Sequence, residues 1–216
     1  MKPRHIITWL GSAMRHSSGR LTVLISIMIL LGLFMFRNAG TWLIAQDTPP
    51  QHLDLVCTFA GDGKRVEYSK ELMLRHKNAH WLMSDYRNGH GRLLSKSDFD
   101  MRRVTIFDTC NNTLSEIQAV RKWLDRNYPP RGKKSASDTI IHVGLVSSPY
   151  HMRRIGIMAH RKLRRNDIRC YLLPVPLDRH NWTKDTYRYW WRSKTITSLT
   201  LAELLKTGYF LLTGYI

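Results

Sequence analysis

Cysteine is scarce in this sequence. Three occur, Cys57, Cys110 and Cys170, and none forms a CxxC or other metal-ligand spacing. A small, odd, widely spaced set argues against a disulfide-framework domain and supplies no metal centre. Acidic residues are also few, 16 Asp and Glu against 34 Lys and Arg, which leaves a net charge of +18. No segment repeats, no tract is of low complexity, and no nucleic-acid recognition motif accompanies the positive charge. Nucleic acid is therefore set aside as a partner. Neither a P-loop nor a dinucleotide-binding glycine fingerprint occurs. What remains is ample for a packed domain: 43% of residues are hydrophobic and 10% aromatic, which excludes global disorder.

The first 37 residues contain five basic residues and no acid, so 29 basic and 16 acidic residues remain, a net +13 for the rest of the chain. Within that first part, Leu21 to Phe36 reads LTVLISIMILLGLFMF, without a charge, and the apolar run resumes after Arg37 and Asn38. As a helix this run spans about 24 Å, slightly less than a hydrocarbon core of about 30 Å. Arg37 can snorkel and Trp42 can sit at the interface. A cleaved signal peptide competes with this reading, but no small-residue cleavage site follows the run. The expected layout is a basic N-terminus (1–20), a membrane anchor (21–45), a linker (46–52) and a globular domain (53–216). Basic residues before the run predict a cytoplasmic N-terminus and an extracytoplasmic domain, periplasmic if the cell is a bacterium.

Along the domain, strand patterns alternate with helix patterns. Leu53–Ala60, Trp81–Met83, Arg103–Phe107, Thr139–Val146 and Ile168–Val175 read as strands. Helices are expected over Arg65–Lys77, from Asn112 or Thr113 to Pro129, over Tyr150–Arg165, and through a long tail from Asp185 to Gly214. Thr113 followed by Glu116 fits a capping box. Tyr86–Asp100 and Arg131–Asp138 read as loops. This alternation predicts an α/β, Rossmann-like three-layer domain, with a mostly parallel sheet of about five strands behind one N-terminal transmembrane helix. Ligands of such folds gather where strands end and helices begin.

Three of those turns carry suitable chemistry. Gly61-Asp62-Gly63-Lys64-Arg65 joins glycines, which let backbone N–H groups approach a ligand, to a helix start, which favours negative charge. A plain tight turn explains the glycines equally well. Asp108-Thr109-Cys110-Asn111-Asn112-Thr113 is polar beyond what a helix cap requires. Cys110 there serves as a nucleophile only if a histidine activates it. Ser147-Ser148-Pro149-Tyr150-His151-Met152-Arg153-Arg154 gathers hydroxyls, an imidazole and two guanidiniums at one helix start. Cations oppose the dipole there, which an anion among them would relieve. The competing reading leaves Arg153 and Arg154 solvated or facing a membrane.

The segment VGLVSSPYHMRRIGIMAHR resembles the signature of the YdcF-like (SanA/ElyC-like) family, a strand leading into a Ser-x-Tyr-His-x-x-Arg turn. DTCNNTLSEIQAVRKWL resembles its polar helix start, AGDGKRVEYSKEL its glycine-rich first turn, and LAELLKTGYFLLTG its closing helix with an acidic residue. Where that family has a glycine pair after the second strand, this chain has Ser84-Asp85-Tyr86. The resemblance, to the membrane-anchored branch, implies a Rossmann-like domain in the bacterial envelope, associated with peptidoglycan synthesis and lipid-carrier metabolism. Carried over by position, its pocket residues are Gly61, Gly63, Arg65, Ser84, Asn112, Thr113, Ser148, His151 and Arg154.

The expectation is an inner-membrane protein that binds, and processes, a phosphorylated ligand of the polyprenyl-phosphate type. Arg65 and Arg154 hold phosphate in this reading, with Ser147, Tyr150 and Arg153 beside them. His151 moves a proton, with Asp108 and Glu116 as possible partners. An enzyme of this kind is a hydrolase or transferase. No cofactor is identified. The alternatives are a non-catalytic module for a nucleotide-like small molecule and a basic envelope scaffold.

Overall fold

The computed structural model describes residues 5–84, 100–107, 109–129 and 140–214. Asp108, most of the expected Tyr86–Asp100 loop and the Arg131–Asp138 linker lie outside the described residues. The chain forms two compact units, Met1–Ala39 and Gly40–Ile216.

Helix α1 (His5–Leu43) contains one span, Leu21–Leu43, that is long and apolar enough to cross a membrane, with a mean hydropathy of 2.0. Its side chains from Leu21 to Phe36 are all exposed. Asn38 does not break the helix, because its side-chain amide donates to the Phe34 carbonyl at 2.8 Å.

The second unit is built on five strands: β1 (Leu55–Thr58), β2 (His80–Ser84), β3 (Val104–Phe107), β4 (Ile141–Ser147) and β5 (Ile168–Pro174). All pair in parallel, in the order β3-β2-β1-β4-β5. The expected α/β architecture is present. Parallel strands buried on both sides alternate their side chains between two cores. Leu55 and Cys57 of β1 point into one core with Val143 and Leu145, while Val56 points into the other with Trp81, Met83 and Val146. Gly144 sits at the centre of β4 because a Cβ there would meet Leu173 at 2.8 Å and Leu53 at 3.1 Å.

Helix α2 (Gly63–Arg75) covers the second core through Val66, Leu72 and Met73. Helices α3 (Thr113–Asn127), α4 (Met152–Lys162) and α6 (Lys194–Thr213) cover the first, through Ile117, Ile155 and Phe210 among others. The expected single tail helix is instead divided into α5 (Lys184–Arg188), a 3-10 turn (Trp190–Arg192) and α6. The break falls between Arg188 and Lys194, where Ser193 caps α6 anew; Thr183, just ahead of the expected tail, caps α5 in a box with Thr186.

The compact unit also begins earlier than expected. Leu43 and Ala45, at the end of the segment read as anchor, are buried in it. In the segment read as linker, Asp47 closes part of the edge of β5: its N–H donates to the Leu172 carbonyl at 2.9 Å, and its carboxylate accepts from the Leu172 N–H at 2.8 Å.

Candidate functional site

Strand order reverses between β1 and β4, the two neighbours whose following helices start side by side at the sheet's carboxyl edge. Two turns meet there. After β1, Gly61 permits the Arg65 side chain to fold back over its own turn, since a Cβ at Gly61 would overlap the guanidinium. Arg65 is buried. Its Nη1 donates to the Phe59 carbonyl at 3.2 Å and to the Ala60 carbonyl. Its Nε donates to Ser148 Oγ at 3.0 Å, in the turn after β4. The Ser148 hydroxyl in turn donates to Asp62 at 3.3 Å. One buried side chain thus ties the first and third candidate turns together.

The second turn joins through Arg154, the third turn's buried guanidinium. Its Nη1 donates to Thr113 Oγ1 at 2.7 Å, and its Nε to Glu203 at 2.8 Å. Glu203 projects from α6 and is nearly inaccessible. Its other oxygen lies 3.0 Å from His151 Nδ1. Arg65, Thr113 and His151, which come from three separate loops, therefore belong to one connected group.

The protonation states follow from these contacts. Burial pushes the Glu203 carboxyl up, but hydrogen bonds from His151 and Arg154 outweigh it and hold the group down at about 2. Glu203 is therefore an anion that can only accept. Burial lowers His151 to about 4, against the pull of Glu203 and with help from the Arg65 and Arg154 charges. His151 Nδ1 lies 3.0 Å from Glu203 and 3.2 Å from Arg154 Nη2; a proton on Nδ1 donates to the carboxylate at the shorter distance, while Arg154 Nη2 donates to the same carboxylate oxygen at 3.3 Å. Nε2 then carries the lone pair, and among the described residues it makes no hydrogen bond. Such a nitrogen can accept a proton from a bound group and return it.

Several expected residues lie in different roles. Asn112, one of the two residues expected to cap this helix, forms the capping box of α3, with Ser115 in the place expected for the Thr113–Glu116 pair. Asn112 is occupied by the Ser115 N–H and by Asn111, and faces solvent. Glu116 turns inward instead and accepts from the Ala60 N–H at 2.7 Å. Burial raises its pKa, against the hydrogen bond from Ala60 and the Arg65 and Arg154 charges. It braces the first turn and does not pair with His151. Arg153 is directed away from the group, donating to the Trp42 carbonyl at 2.8 Å. Ser84 is buried at the end of β2, beside Glu116. Ser147 is buried at the end of β4. Gly63 is the first residue of α2. Tyr150 lies beside Arg65 and packs on the His151 ring at 4.2 Å. Cys110 is buried.

Glu203 is the central residue that motif reading by position did not assign. Its signal was available: it is the only acid between Thr186 and Gly214, set in an apolar helix. A lone acid in such a helix needs a buried cation.

The starts of α2 and of the 3-10 turn Pro149–His151 both lack a side-chain cap. Pro149 has no N–H, the Arg65 N–H donates to the Asp62 carbonyl and the His151 N–H to the Ser148 carbonyl, which leaves the N–H groups of Gly63, Lys64 and Tyr150 without a protein acceptor among the described residues, an arrangement suited to an anion. No family model, curated protein or solved structure matches this chain.

Proposed function

We propose that this protein is a membrane-anchored, YdcF-like envelope protein that binds the phosphate of a polyprenyl-phosphate-type lipid at the β1/β4 switch point. The anchor enters an inner membrane with the domain on its outer side, within reach of such carriers. His151 Nε2 exchanges a proton with the phosphate or with the group attacking it, in a hydrolase or transferase reaction.

One observation carries the reading. The uncapped start of α2 and the Pro149–His151 turn are tied together by the Arg65–Ser148 hydrogen bond, and His151, whose Nδ1 faces Glu203, stands in that turn. Arg65 and Arg154 act from beneath as fixed positive charges. Most of their N–H groups are already committed to protein acceptors, so backbone N–H groups are the primary phosphate donors. The net +13 outside the first 37 residues concentrates anionic lipid and carrier headgroups near the domain.

The test uses the full chain in lipid nanodiscs with polyprenyl phosphate and diphosphate, measuring binding by calorimetry and phosphate release by assay. Saturable binding with turnover that His151→Asn abolishes supports the enzyme. Binding without turnover in either protein reassigns the site to a small-molecule module. No binding of either lipid or of inorganic phosphate removes the proposal and leaves a scaffold.

A further inference from the structure

Helix α6 carries large apolar side chains on the side turned away from the domain. Ile196, Thr200, Glu203, Thr207 and Phe210 face the domain. On the other side Leu201, Leu205, Tyr209 and Leu212 are 47%, 75%, 56% and 89% exposed. Their spacing of four, four and three residues puts them in one row, about 16 Å long. A water-facing helix is expected to be polar on that side. A row of large apolar side chains marks a surface that something covers.

What covers it is indicated at the row's N-terminal end. Trp191, in the 3-10 turn that precedes α6, is 36% exposed. Its neighbour Trp190 packs on Gly40, where a Cβ would overlap the Tyr187 carbonyl and the Trp190 ring. Gly40 and Trp42 begin the compact unit and directly continue the apolar span of the chain. Around them cations sit over aromatic rings: Arg153 over Trp42 at 5.1 Å, Arg192 over Tyr189 at 4.7 Å, Arg188 over Tyr189 at 5.6 Å. Trp, Tyr and Arg in this combination occupy the headgroup layer of bilayers. From Thr186 to Gly214 the bases are Arg188, Arg192, Lys194 and Lys206, and the one acid, Glu203, is buried against Arg154.

We infer that the exposed row of α6, with the Tyr189–Arg192 turn, lies on an anionic lipid surface. The domain is then held by its tether and by a second, peripheral contact. Apolar side chains enter the acyl boundary and the arginines meet lipid phosphates. The inference rests on reading the exposed apolar run from Leu21 to Phe36 as membrane-spanning, but not on any ligand at the switch point.

The experiment places a spin label on the full chain in nanodiscs of phosphatidylcholine with phosphatidylglycerol, in a Cys170→Ala background. Leu205→Cys is the test site, Leu74→Cys, 60% exposed on α2, the water control, and Leu30→Cys the lipid control. The expected result is a Leu205 label reached by dissolved oxygen and shielded from a water-soluble nickel chelate, as at Leu30 and unlike Leu74. Arg188→Glu with Arg192→Glu then raises chelate access several-fold, since each base near an anionic surface shifts such a population about fivefold. A Leu205 label as open to chelate as Leu74 overturns the inference. So does dipolar coupling between Leu205 labels in one disc, which assigns the row to a second copy. A Leu30 label in water removes the membrane span and the inference with it, leaving the switch-point reading to its own test.

Discussion

His151 and Glu203 form a hydrogen-bonded pair at 3.0 Å across the gap between the turn after β4 and helix α6. Neither residue's local sequence specifies the other. The pair makes the tautomer of His151 a property of the fold, and it ties the protonation of the candidate site to stability.

The first prediction concerns pH. His151 has its folded pKa lowered to about 4 by burial, from an ordinary value of 6.5. Between those values the unfolded chain binds the proton and the folded domain does not. Its contribution to stability is full above pH 6.5 and is lost as pH falls to 4, by up to about 3 kcal/mol. Denaturant midpoints across this window should fall with pH, and His151→Gln should flatten the slope.

Glu203→Ala should be severe. It leaves Arg154 buried without its carboxylate, a cost of about 3–5 kcal/mol. Glu203→Gln keeps the shape and should cost less. It also removes the anion that pulls the His151 pKa up, so that value should fall further. Chemical denaturation and imidazole titration by NMR read the two effects separately.

Gly61→Ala should act through Arg65. The added Cβ overlaps a buried guanidinium that is held by Phe59, Ala60 and Ser148. A loss of about 1–3 kcal/mol is expected, as for overpacking. In an Arg65→Ala background the same change should cost little, so a double-mutant cycle should show strong coupling.

Asn112→Ala should separate capping from binding. The loss of the box with Ser115 should cost about 1 kcal/mol. Binding of phosphorylated lipid should be unchanged, because the Asn112 side chain faces solvent and not the crevice. A large loss of binding with stability intact would return Asn112 to the site.

Much of the fold was legible because its signals are local. Five apolar runs broken by glycine, proline and polar turns became five strands, each displaced by no more than two residues from its expected start. The apolar run from Leu21 became a helix for the same reason. The tail was misread at the end of its run of tryptophan and tyrosine, where Ser193 starts a new helix. There the cap, a single hydroxyl, outweighed a helical pattern of large side chains. Glu116 was misread as a cap because its spacing from Thr113 is right, yet Asn112 wins that place and frees Glu116 to turn inward.

Residue pattern alone determined an apolar N-terminal helix, an alternating α/β domain and three polar turns at strand ends, since each depends on neighbours within a few residues. The parallel order β3-β2-β1-β4-β5 was left to long-range packing, and with it which turns adjoin. That order brings Ser148 to Arg65 and Glu203 to both His151 and Arg154. Such contacts join residues far apart in the chain, and only the burial of charge in a common interior selects one set of partners over the others.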